Sequence, residues 1–226
     1  METNIAGLIE KNFKSLPENT VKAFNFLSKQ EWISRSGWYL AGGTALALQT
    51  GNRLSVDLDF FTTERDFKNE IFLKNFSNNK DWKIDFEENN TIYGILLGCK
   101  VSFIAYPFFI PKEVYIKYGY VNILQPRDIA VMKVIAVSQR GKKRDFFDLF
   151  WIAKNLEPLK DVIKRLRDQY PSVAHDYNHI LKSLIYFNDA ENDPEPIINF
   201  KTDWKEVKGY FEKEIPRITE ELILMG

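Results

Sequence analysis

The sequence has little cysteine and little histidine: Cys99 is its single cysteine, and His175 and His179 are its two histidines among 226 residues. One thiol cannot form an intrachain disulfide or a multi-cysteine zinc site. The two histidines have the spacing found in helical metalloprotease motifs, but the glutamate that follows the first histidine in those motifs is absent. We therefore interpret the pair as an ordinary helix face.

The sequence also lacks an excess of charge and a long hydrophobic run. Lys plus Arg equals Asp plus Glu, 31 each, so the formal net charge is zero and non-specific coating of nucleic acid or membrane is not expected. No apolar run approaches the ~20 residues that span a bilayer. The N-terminus has no basic start followed by an apolar core, so it does not resemble a signal peptide. We expect a cytoplasmic protein that does not contact a membrane.

Hydrophobic periodicity predicts an α/β (α+β) fold in which a mixed sheet with flanking helices precedes a helical lobe. In the first part we predict helices over 5–16, 21–33, 44–49 and 67–76, and strands over 38–41, 56–61, 82–86, 92–97 and 100–106. In the second part we predict helices over 126–138, 144–155, 159–170, 175–187 and 204–214. The expected domains are an α/β core, 1–125, and a helical C-terminal lobe, 126–226.

Two aspartates, Asp57 and Asp59, alternate with apolar residues in a predicted strand. Alternate residues of a strand share a face, so the two carboxylates lie together, roughly 6.5 to 7 Å apart at their backbones. Such a pair can bind Mg²⁺ (or Mn²⁺), which prefers hard oxygen ligands and completes its shell with water and substrate phosphates. A solvated acidic strand face is the alternative.

A turn of two glycines and a threonine, Gly42-Gly43-Thr44, joins the preceding strand to a helix. Glycines allow a backbone to approach a phosphate closely, and a helix N-terminus attracts anions. Arg53 and Ser55, between this turn and the aspartates, are further candidates for contact with phosphate or metal. The order of turn and acidic strand places a triphosphate beside a metal ion.

The helical part carries three more charged features. Lys133 interrupts an apolar helix, which favours either a side chain that reaches solvent or an anionic partner. Its replacement by Met should preserve or raise stability, because it removes a charge from an apolar helix at similar volume. A basic run of Arg140, Lys142, Lys143 and Arg144 suggests a polyanion contact, with a solvated loop as the alternative. Asp145 and Asp148 follow at a helix start, where carboxylates also suit the helix dipole.

At these residues the sequence resembles the AbiEii-type nucleotidyltransferases, the toxins of type IV toxin–antitoxin and abortive-infection systems, within the DNA polymerase β-like superfamily. Gly42 to Leu48 and Ser55 to Phe61 carry the first part of the resemblance, and Asp128 to Lys133 with Arg144 to Leu149 carry the second. The resemblance implies a nucleotide-phosphate contact at Gly43 and Thr44, metal binding at Asp57 and Asp59, a nucleotide contact at Lys133, and a catalytic acid at Asp145, with Asp148 as the alternative.

The sequence departs from the superfamily pattern at one position. Many members carry a third metal-binding acid on a following strand, where this chain has Ser102. Asp85 or Glu87 on a neighbouring predicted strand is the substitute to consider.

The resulting hypothesis is a metal-dependent enzyme that moves a nucleoside monophosphate from a nucleoside triphosphate to an acceptor hydroxyl. The basic run favours an RNA acceptor, the 3′ end of a tRNA above all, and the resemblance adds a cognate antitoxin as a partner. The alternatives are a catalytically weak homologue that acts as a binding module, which Ser102 motivates, and a kinase-like phosphotransferase.

Overall fold

The computed structural model describes residues 5–224, and the chain divides into two compact units, Met1–Pro126 and Arg127–Gly226. Between residues 5 and 126, seven strands form one mixed sheet, and helices flank it. The predicted fold class, α/β with a mixed sheet, is confirmed.

The sheet of the first unit has the strand order β3-β4-β5-β2-β1-β7-β6. Its strands are β1 (Tyr39–Ala41), β2 (Leu58–Thr62), β3 (Trp82–Glu88), β4 (Thr91–Leu96), β5 (Cys99–Ala105), β6 (Ile116–Tyr118) and β7 (Val121–Ile123). The central strand β2 pairs antiparallel with β1 and parallel with β5. This pairing places the predicted acidic strand in the middle of the sheet.

The helices of the first unit differ in length from those that the periodicity predicts: α4 is longer than the predicted 44–49, and the others are shorter than predicted or divided. They are α1 (Ile5–Lys11), α2 (Glu18–Leu27), α3 (Glu31–Arg35), α4 (Gly42–Thr50) and α5 (Asn69–Leu73), with 3-10 turns at Asn12–Ser15 and Lys74–Phe76. The helix predicted over 21–33 is wrong as one element, because residues 28–30 separate α2 from α3. The helices predicted over 5–16 and 67–76 each end in a 3-10 turn.

An aromatic cluster fills the core on one face of this sheet. Phe103 of β5 stacks on Phe60 of β2 with ring centroids 5.1 Å apart, and Phe72 of α5 lies 4.6 Å from Phe103. Trp32 and Trp38 complete the cluster around Phe103. Since side chains alternate along a strand, burying Leu58 and Phe60 on this face sends Asp59 to the other.

The hairpin of β6 and β7 was missed by the sequence interpretation. Its strands have three residues each, too few for a clear alternation, and its turn contains Gly119 at φ +57°. A Cβ at Gly119 would lie 2.2 Å from the carbonyl oxygen of Ser28, which also accepts a hydrogen bond from the Tyr120 amide. Glycine is needed here for both reasons, and the hairpin thereby docks on the end of α2.

The second unit is helical over its described residues. Its helices are α6 (Pro126–Arg140), α7 (Lys143–Asn155), α8 (Leu159–Lys164), α9 (Leu166–Gln169), α10 (Tyr177–Ser183), α11 (Asn188–Glu191) and α12 (Trp204–Leu224). The helix predicted over 204–214 continues to Leu224 with Pro216 inside it. The helix predicted over 159–170 is divided at Arg165, and α10 is shorter than predicted at both ends. Among residues 5–224 there is no helix with the length and apolar character that crossing a bilayer requires.

Candidate active site

The acidic pair lies where β2 begins. Asp59 is the second residue of β2 and pairs with Ala41 of β1, whereas Asp57 precedes the strand. Leu58 and Phe60 are buried, and Asp57 and Asp59 are partly exposed, as the alternation predicts. The predicted strand start at Val56 is wrong, because Val56 is exposed and β2 begins at Leu58. Both carboxylates therefore lie at the solvent-accessible side of the sheet, at the end of β1 from which the glycine turn departs.

The glycine turn directly contacts Asp59. Gly42 has φ +70°, a conformation that side-chain-bearing residues rarely adopt, and it begins α4. A Cβ on Gly42 would lie 3.0 Å from Asp59 Oδ2. The turn and the carboxylate are thus in van der Waals contact, which the residue spacing alone did not establish.

Thr44 connects the turn to the acidic segment through its hydroxyl group. This hydroxyl donates a hydrogen bond to the carbonyl oxygen of Asp57, and it lies 2.9 Å from the hydroxyl of Ser55. A hydroxyl has a single proton, so the second bond has Ser55 as its donor. Both side chains are buried, and together they hold the backbone of Asp57 against the start of α4.

Arg53 lies over Gly43. A Cβ on Gly43 would come within 2.2 Å of Arg53 Nη2, and Arg53 Nη1 donates a hydrogen bond of 2.8 Å to the Leu54 carbonyl oxygen. The side chain is almost fully buried. The structure therefore brings Gly42, Gly43, Thr44, Arg53, Ser55, Asp57 and Asp59 together in one small region of the first unit.

Ser102 lies opposite Asp59, at the position where the superfamily pattern has an acid. The two residues are partners across β5 and β2, and Ser102 Oγ donates a hydrogen bond of 2.8 Å to Asp59 Oδ1. Asp85 and Glu87 do not substitute for the acid, because β3 is separated from β2 by β4 and β5, roughly 14 Å at the usual strand spacing. Within residues 5–224, no group of three or more carboxylate, histidine or cysteine side chains is arranged to hold a metal ion.

Cys99 lies near this region but does not contribute a thiolate. Burial, together with the negative charges of Asp57 and Asp59, raises the pKa of the Cys99 thiol to about 11. At neutral pH the thiol is protonated, and Sγ lies 3.4 Å from the Val56 carbonyl oxygen. Carboxylates and hydroxyls are therefore the ligands that the region offers to a cation.

In the second unit, Lys133 bridges two buried aspartates. Its Nζ lies 2.5 Å from Asp145 Oδ1 and 2.7 Å from Asp148 Oδ2, and both carboxylates are fully buried. Lys133 does not extend to solvent, which was one of the two interpretations of its sequence context. The expectation that replacement by Met preserves stability loses its basis, because Lys133 is the cation that bridges two buried carboxylates.

Asp145 is ionised in this arrangement. Burial alone would raise the pKa of Asp145, but the charges of Lys133 and Arg140 and the hydrogen bond from Lys133 outweigh it and hold the pKa below its usual value. Arg140 Nη2 lies 3.0 Å from Asp145 Oδ2. Asp145 is therefore a permanently charged and firmly oriented carboxylate.

The basic run divides into residues with different surroundings. Lys143 is buried, with its Nζ 3.2 Å from Glu195 Oε1 and 5.4 Å from the centre of the Trp204 ring. Lys142 is exposed and lies 3.1 Å from Asp193 Oδ1. Arg144 and Arg140 are also exposed, but Arg140 is paired with the buried Asp145. Lys142 and Arg144 are thus the exposed residues of the run that are not paired with a buried carboxylate.

The family comparison covers both of these regions. The model of the family described as "Nucleotidyl transferase AbiEii toxin, Type IV TA system" matches residues 28–88 and 106–221. The chain belongs to this AbiEii family. The matched ranges include the glycine turn, Asp57, Asp59, Lys133 and Asp145, whereas Ser102 falls in the unmatched segment between them. The predicted family is confirmed, and the chain is a nucleotidyltransferase.

Two individual proteins resemble this AbiEii-family chain over most of its length. The uncharacterized protein aq_aa25 of Aquifex aeolicus (strain VF5) is 34% identical over 187 residues, which cover 81% of this chain and 88% of that protein. The solved structure of MenT4, a nucleotidyltransferase toxin from Mycobacterium tuberculosis H37Rv, superimposes on this chain with a TM-score of 0.57 at 13% sequence identity. The match covers 96% of this chain and 89% of the MenT4 chain. At that identity the second likeness shows a shared fold.

Proposed function

We propose that this chain transfers a nucleoside monophosphate from a nucleoside triphosphate to an acceptor hydroxyl, with Mg²⁺ or Mn²⁺ held by Asp57 and Asp59. The contact between Gly42 and Asp59 is the observation that carries the proposal. It brings a turn suited to phosphate within reach of a carboxylate suited to a divalent ion.

The two carboxylates and the Ser102 hydroxyl form an all-oxygen set, which fits a magnesium-type ion better than a softer metal. Asp57 and Asp59 would hold a divalent ion, which would lower the pKa of the attacking hydroxyl and neutralise charge on the phosphates. The Thr44 hydroxyl fixes the backbone of Asp57. Gly43 and Arg53 are proposed to contact the triphosphate, where the guanidinium would stabilise negative charge.

In the reaction, the acceptor oxygen forms a bond to the α-phosphorus, and the bond from that phosphorus to the oxygen bridging it to the β-phosphorus breaks. Pyrophosphate leaves with the electron pair, and the proton of the acceptor hydroxyl passes to solvent water. We propose Lys133 and Asp145 as further functional residues. The lowered pKa of Asp145 suits it to orient Lys133 rather than to accept a proton.

Two partners follow from the family assignment and the basic run. The acceptor that we propose is RNA, with a tRNA 3′ end as the favoured case, because Lys142 and Arg144 expose cations to solvent in a chain of zero net charge. The second partner is a cognate antitoxin, since the family consists of toxins of type IV toxin–antitoxin systems. Both partners are met where the protein is made, in the cytoplasm.

The Ser102 substitution supports a second candidate, a binding module with weak turnover. A kinase-like phosphotransferase is a third. Incubation with acceptor RNA and a nucleoside triphosphate labelled at either the α- or the γ-phosphate separates them. Transfer of the α-label with release of pyrophosphate is the expected result. Transfer of the γ-label would show a kinase, and retention of both labels on the triphosphate would show a binding module.

A further inference from the structure

A row of side chains crosses the sheet of the first unit and ends at Asp59. Phe86 of β3 is the partner of Tyr93 of β4, Tyr93 is the partner of Ser102 of β5, and Ser102 is the partner of Asp59 of β2. Partners in adjacent strands present their side chains on the same face. The row therefore lies on the Asp59 face, opposite the aromatic core, and spans roughly 14 Å at the usual strand spacing.

The two aromatic residues of the row are exposed although they are large. Phe86 is 46% and Tyr93 is 40% accessible, and their ring centroids are 5.6 Å apart with planes at 37°. On the opposite face of the same strands, the Trp82 ring is packed against the sheet. It covers Gly94 of β4 so closely that a Cβ on Gly94 would lie 2.2 Å from the ring. Trp82 thus packs into the fold, whereas Phe86 and Tyr93 present their rings to solvent.

Two lysines form a parallel row beside the aromatic one. Lys83 of β3 is the partner of Ile95 of β4, and Ile95 is the partner of Lys100 of β5. Both lysines are exposed, and neither makes an ion pair with another described residue. Their row continues toward Asp57, which precedes the Leu58–Val101 pair. Positive charge therefore follows one side of the aromatic row as far as the acidic pair.

From this arrangement we infer that the Asp59 face of β3, β4 and β5 binds the single-stranded end of the acceptor RNA. Exposed aromatic side chains on a sheet stack bases, commonly two or three in succession, and adjacent lysines contact the backbone phosphates. Bases on Phe86 and Tyr93 with phosphates on Lys83 and Lys100 would direct the terminal hydroxyl toward Asp59. The inference rests on the proposed function and adds its acceptor site.

A protein strand added to the edge of the sheet fits this surface less well. Edge strand β3 carries the charges of Lys83, Asp85, Glu87 and Glu88, and its register shifts between Ile84 and Phe86. Charged residues and bulges on an edge strand oppose pairing with another strand. The exposed rings also stand on the face of the strand, not along its edge, which suits stacking of flat bases.

The test measures binding of a fluorescein-labelled single-stranded RNA of about 12 nucleotides by fluorescence anisotropy, with the full chain and without nucleoside triphosphate. Phe86→Ala and Tyr93→Ala should each weaken binding by roughly 5- to 100-fold, the loss expected for one stacked base. Tyr93→Phe, which retains the ring, should bind like the wild type. Ile84→Ala is the matched control, because Ile84 is equally exposed on the opposite face of the same strand.

Replacement of Lys83 and Lys100 by Ala should reduce the slope of log affinity against log salt by roughly 0.7 for each phosphate that is no longer neutralised. Lys117→Ala, an exposed lysine on β6, should leave the slope unchanged. The inference is overturned if the wild type does not bind the RNA, or if Phe86→Ala and Tyr93→Ala bind it as tightly as Ile84→Ala. Pyrophosphate release is measured in a separate assay. Normal transfer by both aromatic variants would contradict this acceptor site and leave the proposed reaction standing. RNA binding by the wild type without any transfer would instead contradict the proposed reaction.

Discussion

Ser102 donates a hydrogen bond of 2.8 Å to Asp59 from the position where the superfamily resemblance leads us to expect a third acid. The hydroxyl orients the carboxylate without adding negative charge. When no cation is bound, the electrostatic repulsion between two carboxylates beside a hydroxyl is weaker than the repulsion among three carboxylates. We expect serine at this position, compared with an acid, to weaken binding of the divalent ion and to stabilise the protein when no ion is bound.

The variant Ser102→Asp tests that expectation. Without a divalent ion its melting temperature should fall below that of the wild type, because three carboxylates then face one another. Added Mg²⁺ or Mn²⁺ should raise its melting temperature by more than it raises that of the wild type, since ligand binding to the folded state stabilises it. Ser102→Asn, which adds no charge, is the control and should lack the larger response. An equal response to the ions in all three proteins would place the cation elsewhere.

Asp57→Asn and Asp59→Asn should each reduce nucleotidyl transfer by roughly 100-fold or more, because loss of a metal-bound carboxylate removes several kcal/mol of charge stabilisation. Neither change should unfold the protein, since both side chains are partly exposed and amides relieve the repulsion between them. Transfer of α-labelled phosphate and thermal melts with and without Mg²⁺ are the two measurements. Wild-type turnover in either variant would contradict the metal assignment.

The strands near the site were predictable because their hydrophobic pattern is strong. Strand β5 and the alternation of Leu58, Asp59 and Phe60 are visible in the sequence, and the structure has them. Short elements were not predictable in the same way. The three-residue strands of β6 and β7 have no periodicity to detect, and the break between α2 and α3 depends on tertiary contacts such as the one between Ser28 and the Gly119 turn.

The residues of the site were visible, but their contacts were not. Sequence order placed Gly42 near Asp59, yet the contact between them depends on the antiparallel pairing of β1 with β2. The sequence left open whether Lys133 reaches solvent or has an anionic partner, because its two aspartate partners are 12 and 15 positions away. The row from Phe86 to Asp59 was missed because four separate strands contribute to it and no local pattern marks their order.

Gly43→Ala tests the packing of Arg53 on the glycine turn. The added methyl group would lie 2.2 Å from Nη2, and the guanidinium is buried, so the side chain must move. We expect a loss of about 1–3 kcal/mol in stability, the usual cost of overpacking, together with weaker binding of a nucleoside triphosphate. Gly209→Ala in α12 is the control, since its Cβ would meet no atom within 4 Å. It should increase stability by about 0.5–1 kcal/mol. Unchanged nucleotide affinity in Gly43→Ala would contradict a role for this turn.

Lys133→Met should lower the free energy of unfolding by about 3–5 kcal/mol, because it removes the cation that bridges the buried Asp145 and Asp148 and leaves Arg140 as the counter-charge of Asp145. Lys205→Met, at an exposed position of α12, is the control and should change stability by no more than about 0.5 kcal/mol. Urea denaturation of both variants provides the comparison. A Lys133→Met protein as stable as the wild type would show that the two carboxylates find other partners. Lys133→Met combined with Asp145→Asn and Asp148→Asn should recover part of the loss, since the two buried negative charges are then removed as well.

Lys142 and Arg144 provide the last prediction, which concerns the acceptor. Both are exposed, and the ion pair of Lys142 with Asp193 is a surface pair, worth about 0–1 kcal/mol and readily exchanged for a phosphate. Lys143, between them, is instead fixed by Glu195 and Trp204 inside the second unit. Adjacent residues of one basic run should therefore behave differently when each is replaced by Ala.

The measurement is transfer of label from α-labelled nucleoside triphosphates to total RNA at several salt concentrations. Lys142→Ala with Arg144→Ala should reduce transfer and flatten its salt dependence, because roughly one counterion fewer is released for each phosphate that the variant no longer neutralises. The double variant should melt like the wild type. Lys143→Ala should instead lower the melting temperature, since it removes a buried lysine stem, its ion pair with the exposed Glu195 and a cation–π contact. Absence of label from all RNA would contradict an RNA acceptor. The same salt dependence of transfer in the double variant and the wild type would contradict RNA contact at this run. Aminoglycosides are the competing acceptor class, and the same exposed cations would repel them, so addition of such a drug should not draw the label away from RNA.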